Sequence, residues 1–343
     1  MVLQTTLPKD TAVKLSMTKL TPFLKKDGVT ELVINRPNEL FIECCGEWER
    51  HILEFGFDDA MALAKAVAAY TNNDVSRMQP NLSATLSTGE RIQCVLPPAC
   101  TPDTISIAIR VPSPQRFTLD DYQRQGFFDH VISTTGGIRP QDRELKTLLE
   151  NQDYPQFFKK AVQYRKTIVI AGGTSSGKTT FMKMVIDLIP AWERLITIED
   201  VHELELISHS NYVHLLYPSE AKVDAAITPA NQLRNCLRLN PSRILLAELR
   251  GGETFDFINV AGSGHEGAIT SIHANSATQA FDRMALMTLQ NPRATSLSYE
   301  VILRLLRQTI DIVVHVEDDT HSPLKLRRHM TEVYFKPELK NAN

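Results

Sequence analysis

The 343-residue sequence predicts an α/β protein in which a largely parallel sheet follows a smaller α+β domain. Three observations predict it. From Lys166 onward, short apolar runs alternate with helix-like stretches. A glycine-rich loop, residues 172–179, lies between the first such run and its helix. The first third instead carries pairs of apolar runs joined by turn residues, as hairpins do.

Residues 31–35 (ELVIN) and 40–44 (LFIEC) flank Arg36-Pro37-Asn38-Glu39, and residues 82–86 and 92–96 flank Ser87-Thr88-Gly89-Glu90. Both read as hairpins. Residues 105–111 (ISIAIRV) add a strand, and 58–70, Ala-rich without Gly or Pro, read as a helix. Pro112, Pro114, the polar stretch 123–125 and the STTGG of 133–137 have linker composition. The expected division is therefore an N-terminal domain over 1–114, a linker over 115–142 and an α/β domain over 143–343. In the last, helices are expected at 144–149, 154–164, 178–188, 231–239, from Thr278 and at 298–308. Strands are expected at 167–171, 195–198, 244–247, 268–272 and 310–316.

Hydrophobic residues make up 43% and charged residues 22%, as in a globular protein able to bury a core. The net charge of -3 speaks against coating nucleic acid by bulk charge. Cys44, Cys45, Cys94, Cys100 and Cys236 form no Cys-x-x-Cys pair, which points away from zinc and from a disulfide framework. Cys44 and Cys45 are expected on opposite faces of a strand. With no apolar signal segment and no run of 18 apolar residues, a cytosolic protein is expected, with any membrane association peripheral.

Gly172, Gly173, Thr174, Ser175, Ser176, Gly177, Lys178 and Thr179 fit G-x-x-x-x-G-K-[ST] at every position, and Thr180 follows. The glycines let the backbone wrap closely, so that its N–H groups converge on a triphosphate. The following helix offers its N-terminal N–H groups. Lys178 supplies a mobile positive charge for the β- and γ-phosphates, and the Thr179 hydroxyl ligates Mg²⁺. The reading is a P-loop that binds Mg-ATP and hydrolyses it.

Two acidic clusters sit at predicted strand ends, where nucleotide sites of such sheets are built. One is Glu199-Asp200-Val201-His202-Glu203; the other is Glu248, after the apolar run 244–247. These carboxylates can hold Mg²⁺ through water and orient the attacking water. At least one of Glu199, Asp200 and Glu203 is expected to be an ordinary surface charge. His265 and His273 bracket GHEGAITSIH. By spacing they are no metal pair, and a structural and a site role both stand open.

With these elements in order, the sequence resembles the hexameric type II/type IV secretion ATPase superfamily, and most the traffic ATPases of type IV secretion and conjugation. The segments that carry the resemblance are GGTSSGKTT, TIEDVHEL, NPSRILLAELRGGE and GHEGAITSIHANS, with GVTELVINRPNELFIE, GERIQCVLPP and SIAIR in the N-terminal part. The resemblance implies a RecA-like ATPase domain behind a sensor-like domain, a homo-hexameric ring, and nucleotide between the domains. It implies that Glu248 is the Walker B acid, that Glu199, Asp200 and Glu203 form an Asp box, and that His265 and His273 form a His box. It also implies that Arg91 and Arg110 approach the phosphates; without it both are exposed β-domain arginines. Other secretion ATPases and inner-membrane components are the implied partners, at the cytoplasmic face of a bacterial inner membrane.

The alternatives are a pilus assembly or retraction motor and a DNA-stimulated translocase. The chain has no four-cysteine zinc element and reads Leu249-Arg250-Gly251-Gly252 where retraction motors read Met-Arg-Asp after the Walker B acid, which favours the type IV secretion branch. Arg234, Arg238, Arg243 and Arg250 form a basic cluster in the sequence that could serve DNA contact. Val13, Met17, Leu20 and Leu24 make a helix-spaced apolar stripe among Lys9, Lys14, Lys19, Lys25 and Lys26. Such a segment either lies on an anionic membrane or caps its own domain; Pro22 limits its helix.

Overall fold

The computed structural model describes residues 7–113, 116–129, 131, 138–219, 225–319 and 327–340. The N-terminal part runs α1 (Thr11–Ser16), α2 (Thr21–Leu24), β1 (Val29–Ile34), β2 (Glu39–Cys44), β3 (Glu47–Ile52), α3 (Phe57–Tyr70), β4 (Asn81–Thr85), β5 (Arg91–Val95) and β6 (Ser106–Arg110). Among the described residues its strands form one antiparallel sheet in the order β3-β2-β1-β6-β5-β4. Alternation along β1 divides its side chains. Leu32 and Ile34 join Leu63, Ala64 and Val67 of α3 in one core, while Val33 enters the core shared with the second sheet.

One expectation changes here, and one open alternative is decided. The strand β2 stops at Cys44, and Cys45 turns with a left-handed φ of 56°. The two sulfurs therefore lie 3.9 Å apart instead of on opposite faces. The stripe Val13, Met17 and Leu20 is buried in the domain's own core, with Leu24 packed against it. Lys14, Lys19 and Lys26 pair with Asp10, Asp59 and Glu49. That apolar face is closed to a membrane. The edge strand β3 (EWERHI), charged along its length, had no apolar signal in the sequence.

Within the expected linker stretch, α4 (Leu119–Arg124) is a helix begun by a Thr118–Asp121 capping box. The STTGG at 133–137 lies outside the described residues. The chain continues with α5 (Pro140–Glu150), α6 (Tyr154–Gln163), β7 (Ile168–Gly172), α7 (Lys178–Asp187), β8 (Leu195–Glu199), β9 (Tyr212–Leu216), α8 (Pro229–Cys236) and β10 (Arg243–Leu249). It ends with α9 (Glu253–Ala261), β11 (Ile269–Ile272), α10 (Ala277–Thr288), α11 (Tyr299–Thr309), β12 (Ile312–Glu317) and β13 (His329–Phe335).

The second sheet has the order β13-β12-β7-β11-β10-β8-β9 and is parallel except at β12–β13. Helices cover both faces, and the strands are correspondingly apolar on both. The strand that leads into the glycine-rich loop, β7, is therefore central. One strand, β11, separates it from β10. No helix among the described residues is long and apolar enough to cross a membrane.

The two sheets meet through buried polar contacts as well as apolar ones. Arg194, fully buried, donates to Asn35 Oδ1 at 2.7 Å and to Leu239 O at 2.9 Å. Burial pulls its pKa down to about 9. Gln232 donates to Ala99 O and Leu216 O at 2.8 Å each.

Candidate nucleotide-binding site

The loop from Gly172 to Lys178 joins the end of β7 to the start of α7. It turns through left-handed residues, Ser175 at φ 63° and Gly177 at φ 93°. At Gly172 a Cβ would come within 2.4 Å of Val316 O and 2.5 Å of Ser176 Oγ, so only glycine fits. Gly173, Thr174 and Ser175 are exposed, Ser176 is buried, Thr179 is half-buried and Thr180 is exposed. Gly172, Gly173, Thr174 and His273 line a cleft of about 510 Å³.

Lys178 is folded onto the loop. Its Nζ donates to Gly173 O at 2.7 Å and to Gly172 O at 3.0 Å. Burial lowers its pKa, opposed by the charge of Glu248. The sheet order explains the neighbour of both. Because β11 lies between β7 and β10, His273, just past the end of β11, stands between their carboxyl ends. His273 Nδ1 is 3.4 Å from Lys178 Nζ and its Nε2 is 2.8 Å from Glu248 Oε1. The second contact is off-line for a hydrogen bond, and Glu248 Oε1 has no hydrogen-bond donor among the described residues.

Arg250 closes the other side. Its Nε donates to Glu248 Oε2 at 2.7 Å, and it pairs with Asp200. These two carboxylates raise its pKa against the opposing effect of burial. Asp200 is pushed the other way: burial raises its pKa, but Arg250 outweighs that and holds it low. The sequence held Arg250 only as one of a basic cluster, and its clamp between Walker B and Asp-box acids was not legible there.

The three Asp-box acids separate into different environments. Glu199 is fully buried; its Oε2 accepts from the N–H groups of Glu203 and Leu204 at 2.8 Å, and its Oε1 from Thr197 Oγ1 at 2.6 Å. Burial raises its pKa, but these bonds and one from His214 bring it below the ordinary value. It holds the loop and is not free to reach water. Glu203 is exposed.

Arg91 and Arg110 stand opposite one another on β5 and β6. With Glu31, Arg238, Asn240 and His265 they line a separate cleft of about 590 Å³ between the two sheets. The structure thus brings His273 to Lys178 and Glu248 but places His265 and both arginines elsewhere. Burial lowers the pKa of His265. Of the basic cluster, Arg243 is buried against Glu193, Arg234 pairs with Asp256, and Arg250 is the clamp just described. Arg234 shares one cleft with Arg250 and another with Arg238.

The residues present fit Mg²⁺. Thr179 sits half-buried in the first turn of α7, and Glu248 Oε1 is a buried oxygen without a donor; hard oxygen ligands suit this ion.

A central parallel strand, its phosphate loop and an acid two strands away define a P-loop ATPase of RecA-like α/β fold. The family model described as "Type II/IV secretion system protein" matches residues 140–331. The chain is 49% identical over 334 residues to Type IV secretion system protein VirB11 of Brucella abortus biovar 1, covering 96% of this chain and 92% of that one. It is 38% identical over 336 residues to the PtlH homolog of Bordetella bronchiseptica, covering 96% and 97%. The crystal structure of the VirB11 ATPase from the Brucella suis type IV secretion system, in complex with sulphate, matches with a TM-score of 0.91 and 47% identity. That match covers 96% of this chain and 99% of the other. The chain belongs to the type II/IV secretion system protein family, in its type IV secretion branch, and is an ATP-hydrolysing enzyme.

Proposed function

We propose that this chain is a Mg²⁺-dependent, homo-hexameric motor that energises type IV secretion, conjugative DNA transfer or pilus biogenesis. Its partners are other secretion-system ATPases and inner-membrane components, and it works at the cytoplasmic face of the bacterial inner membrane. The relatives' secretion role supports this reading. The units are residues 1–114 and 143–343, joined through 115–142.

One observation carries the mechanism: Lys178 and Glu248 both meet His273, which lines the cleft of the glycine-rich loop, while Arg91 and Arg110 line another cleft. The backbone of Gly172, Gly173, Thr174, Ser175, Ser176 and Gly177 cradles the phosphates, and Thr180 follows at the helix start. Lys178 exchanges its carbonyl partners for phosphate oxygens. Mg²⁺, when bound, neutralises phosphate charge; Thr179 and, through water, Glu248 are the residues that hold it. Of the Asp-box acids, Glu199 is tied to backbone N–H groups and Asp200 to Arg250, which leaves Glu203 free to orient the attacking water. Arg91 and Arg110 of a second copy complete the site, neutralising transition-state charge.

Steady-state Mg-ATPase activity over a wide range of protein concentration tests the reading. Activity per subunit should rise with concentration and vanish in Lys178→Ala. Turnover unchanged in Lys178→Ala would contradict it.

A further inference from the structure

Beside the nucleotide site, His202 and His214 remain without a role. Glu199, His202 and His214 each offer a ligand atom, all within 4.8 Å of one another. The fold sets them together. Thr197 of β8 is the register partner of His214 on β9, and Glu199, two residues further, lies on the same face. The bonds from Glu203 and Leu204 N–H to Glu199 Oε2 curl the chain, so that the His202 ring reaches 4.2 Å from that of His214, centroid to centroid.

We infer that Glu199, His202 and His214 form a site for a divalent transition metal, Zn²⁺ in class, that fastens the loop carrying Asp200 and Glu203 to the sheet. The geometry suits it. Glu199 Oε1 is 3.3 Å from His214 Nδ1 and 3.6 Å from His202 Nδ1. Donors at about 2.1 Å from one tetrahedral ion stand about 3.4 Å apart. The Thr197 hydroxyl donates to the same carboxylate oxygen at 2.6 Å and orients it; the hydroxyl also lies 2.7 Å from His214 Nδ1, a contact that the entering ion replaces. Glu199 and His214 are buried, whereas His202 is 42% exposed, which leaves the fourth position open to water. Two imidazoles and a carboxylate select a borderline ion over Mg²⁺, so the site is chemically distinct from that of the nucleotide's ion.

The test is a titration of the full-length, tag-free protein with Co²⁺ in excess Mg²⁺, followed by visible ligand-field absorption. One equivalent should give the band of a low-symmetry Co²⁺ site, and Zn²⁺ should abolish it. His202→Asn, at an exposed position that leaves the fold intact, should weaken binding more than about tenfold. Absence of the band, or a band that His202→Asn leaves unchanged, would overturn the assignment. The readout is metal binding, so it stands or fails independently of ATP hydrolysis.

Discussion

His273 Nε2 stands 2.8 Å from Glu248 Oε1, and the other nitrogen of the same ring stands 3.4 Å from Lys178 Nζ. One imidazole thus spans the lysine of the glycine-rich loop and the acid at the end of β10. The span exists because β11 is threaded between β7 and β10.

Removing that bridge should misplace Glu248 without unfolding the protein. His273→Ala is expected to lower kcat about 100-fold, the scale of an ångström-sized misplacement. Its thermal midpoint should stay at the wild-type value, since the side chain is 42% exposed. Steady-state kinetics and a melting curve check the two halves separately.

Glu31 faces Arg110 across the β1–β6 pairing, and burial raises its pKa to about 7 despite the charges of Arg110 and Arg194. The folded state therefore binds this proton more tightly than the unfolded state. The associated stability is full below about pH 4.5 and is lost as pH rises through about 7. Glu31→Gln should match wild type at about pH 4 and exceed it by on the order of 3 kcal/mol at about pH 8. Denaturant unfolding at both pH values reads the difference, and an equal offset at each would contradict the assignment.

Arg243 donates to both oxygens of Glu193, Nε at 2.8 Å and Nη2 at 2.7 Å, with both side chains buried. Burial raises the Glu193 pKa, but Arg243 and then Arg165 outweigh it and hold the carboxylate below 4.5. Arg243→Met should cost about 3 kcal/mol at neutral pH, because it leaves Glu193 buried with Arg165 alone. The contribution of Glu193 is full above about pH 4.5 and lost as pH falls through its lowered value, so the variant's deficit should shrink in acid. Urea unfolding over that range measures it.

The apolar strands of the second sheet were legible because burial on both faces leaves continuous hydrophobic runs, as in residues 168–171 and 244–246. The charged edge strand β3 and the mixed sequence of α9 (ETFDFINVA) carry weaker periodic signals and escaped. At the site, the loop announces itself because glycine is required by backbone approach, as at Gly172. The carboxylates do not, since sequence shows an acid but not its partner. Glu199, buried under two N–H groups, and Glu203, exposed, read alike until the loop is folded. The separate clefts of His265 and His273 likewise depend on strand order, which spacing does not encode.

In the proposed ring, arginines of one copy complete the P-loop of another. Lys178→Ala and Arg110→Ala chains, each inactive alone, should be co-expressed and their Mg-ATPase activity measured. If the site forms between copies, random assembly pairs an intact loop with intact arginines at about one interface in four, and up to about a quarter of wild-type activity should return. No recovery in mixed rings would mean that the arginines serve their own chain's nucleotide, and would rule out completion between copies.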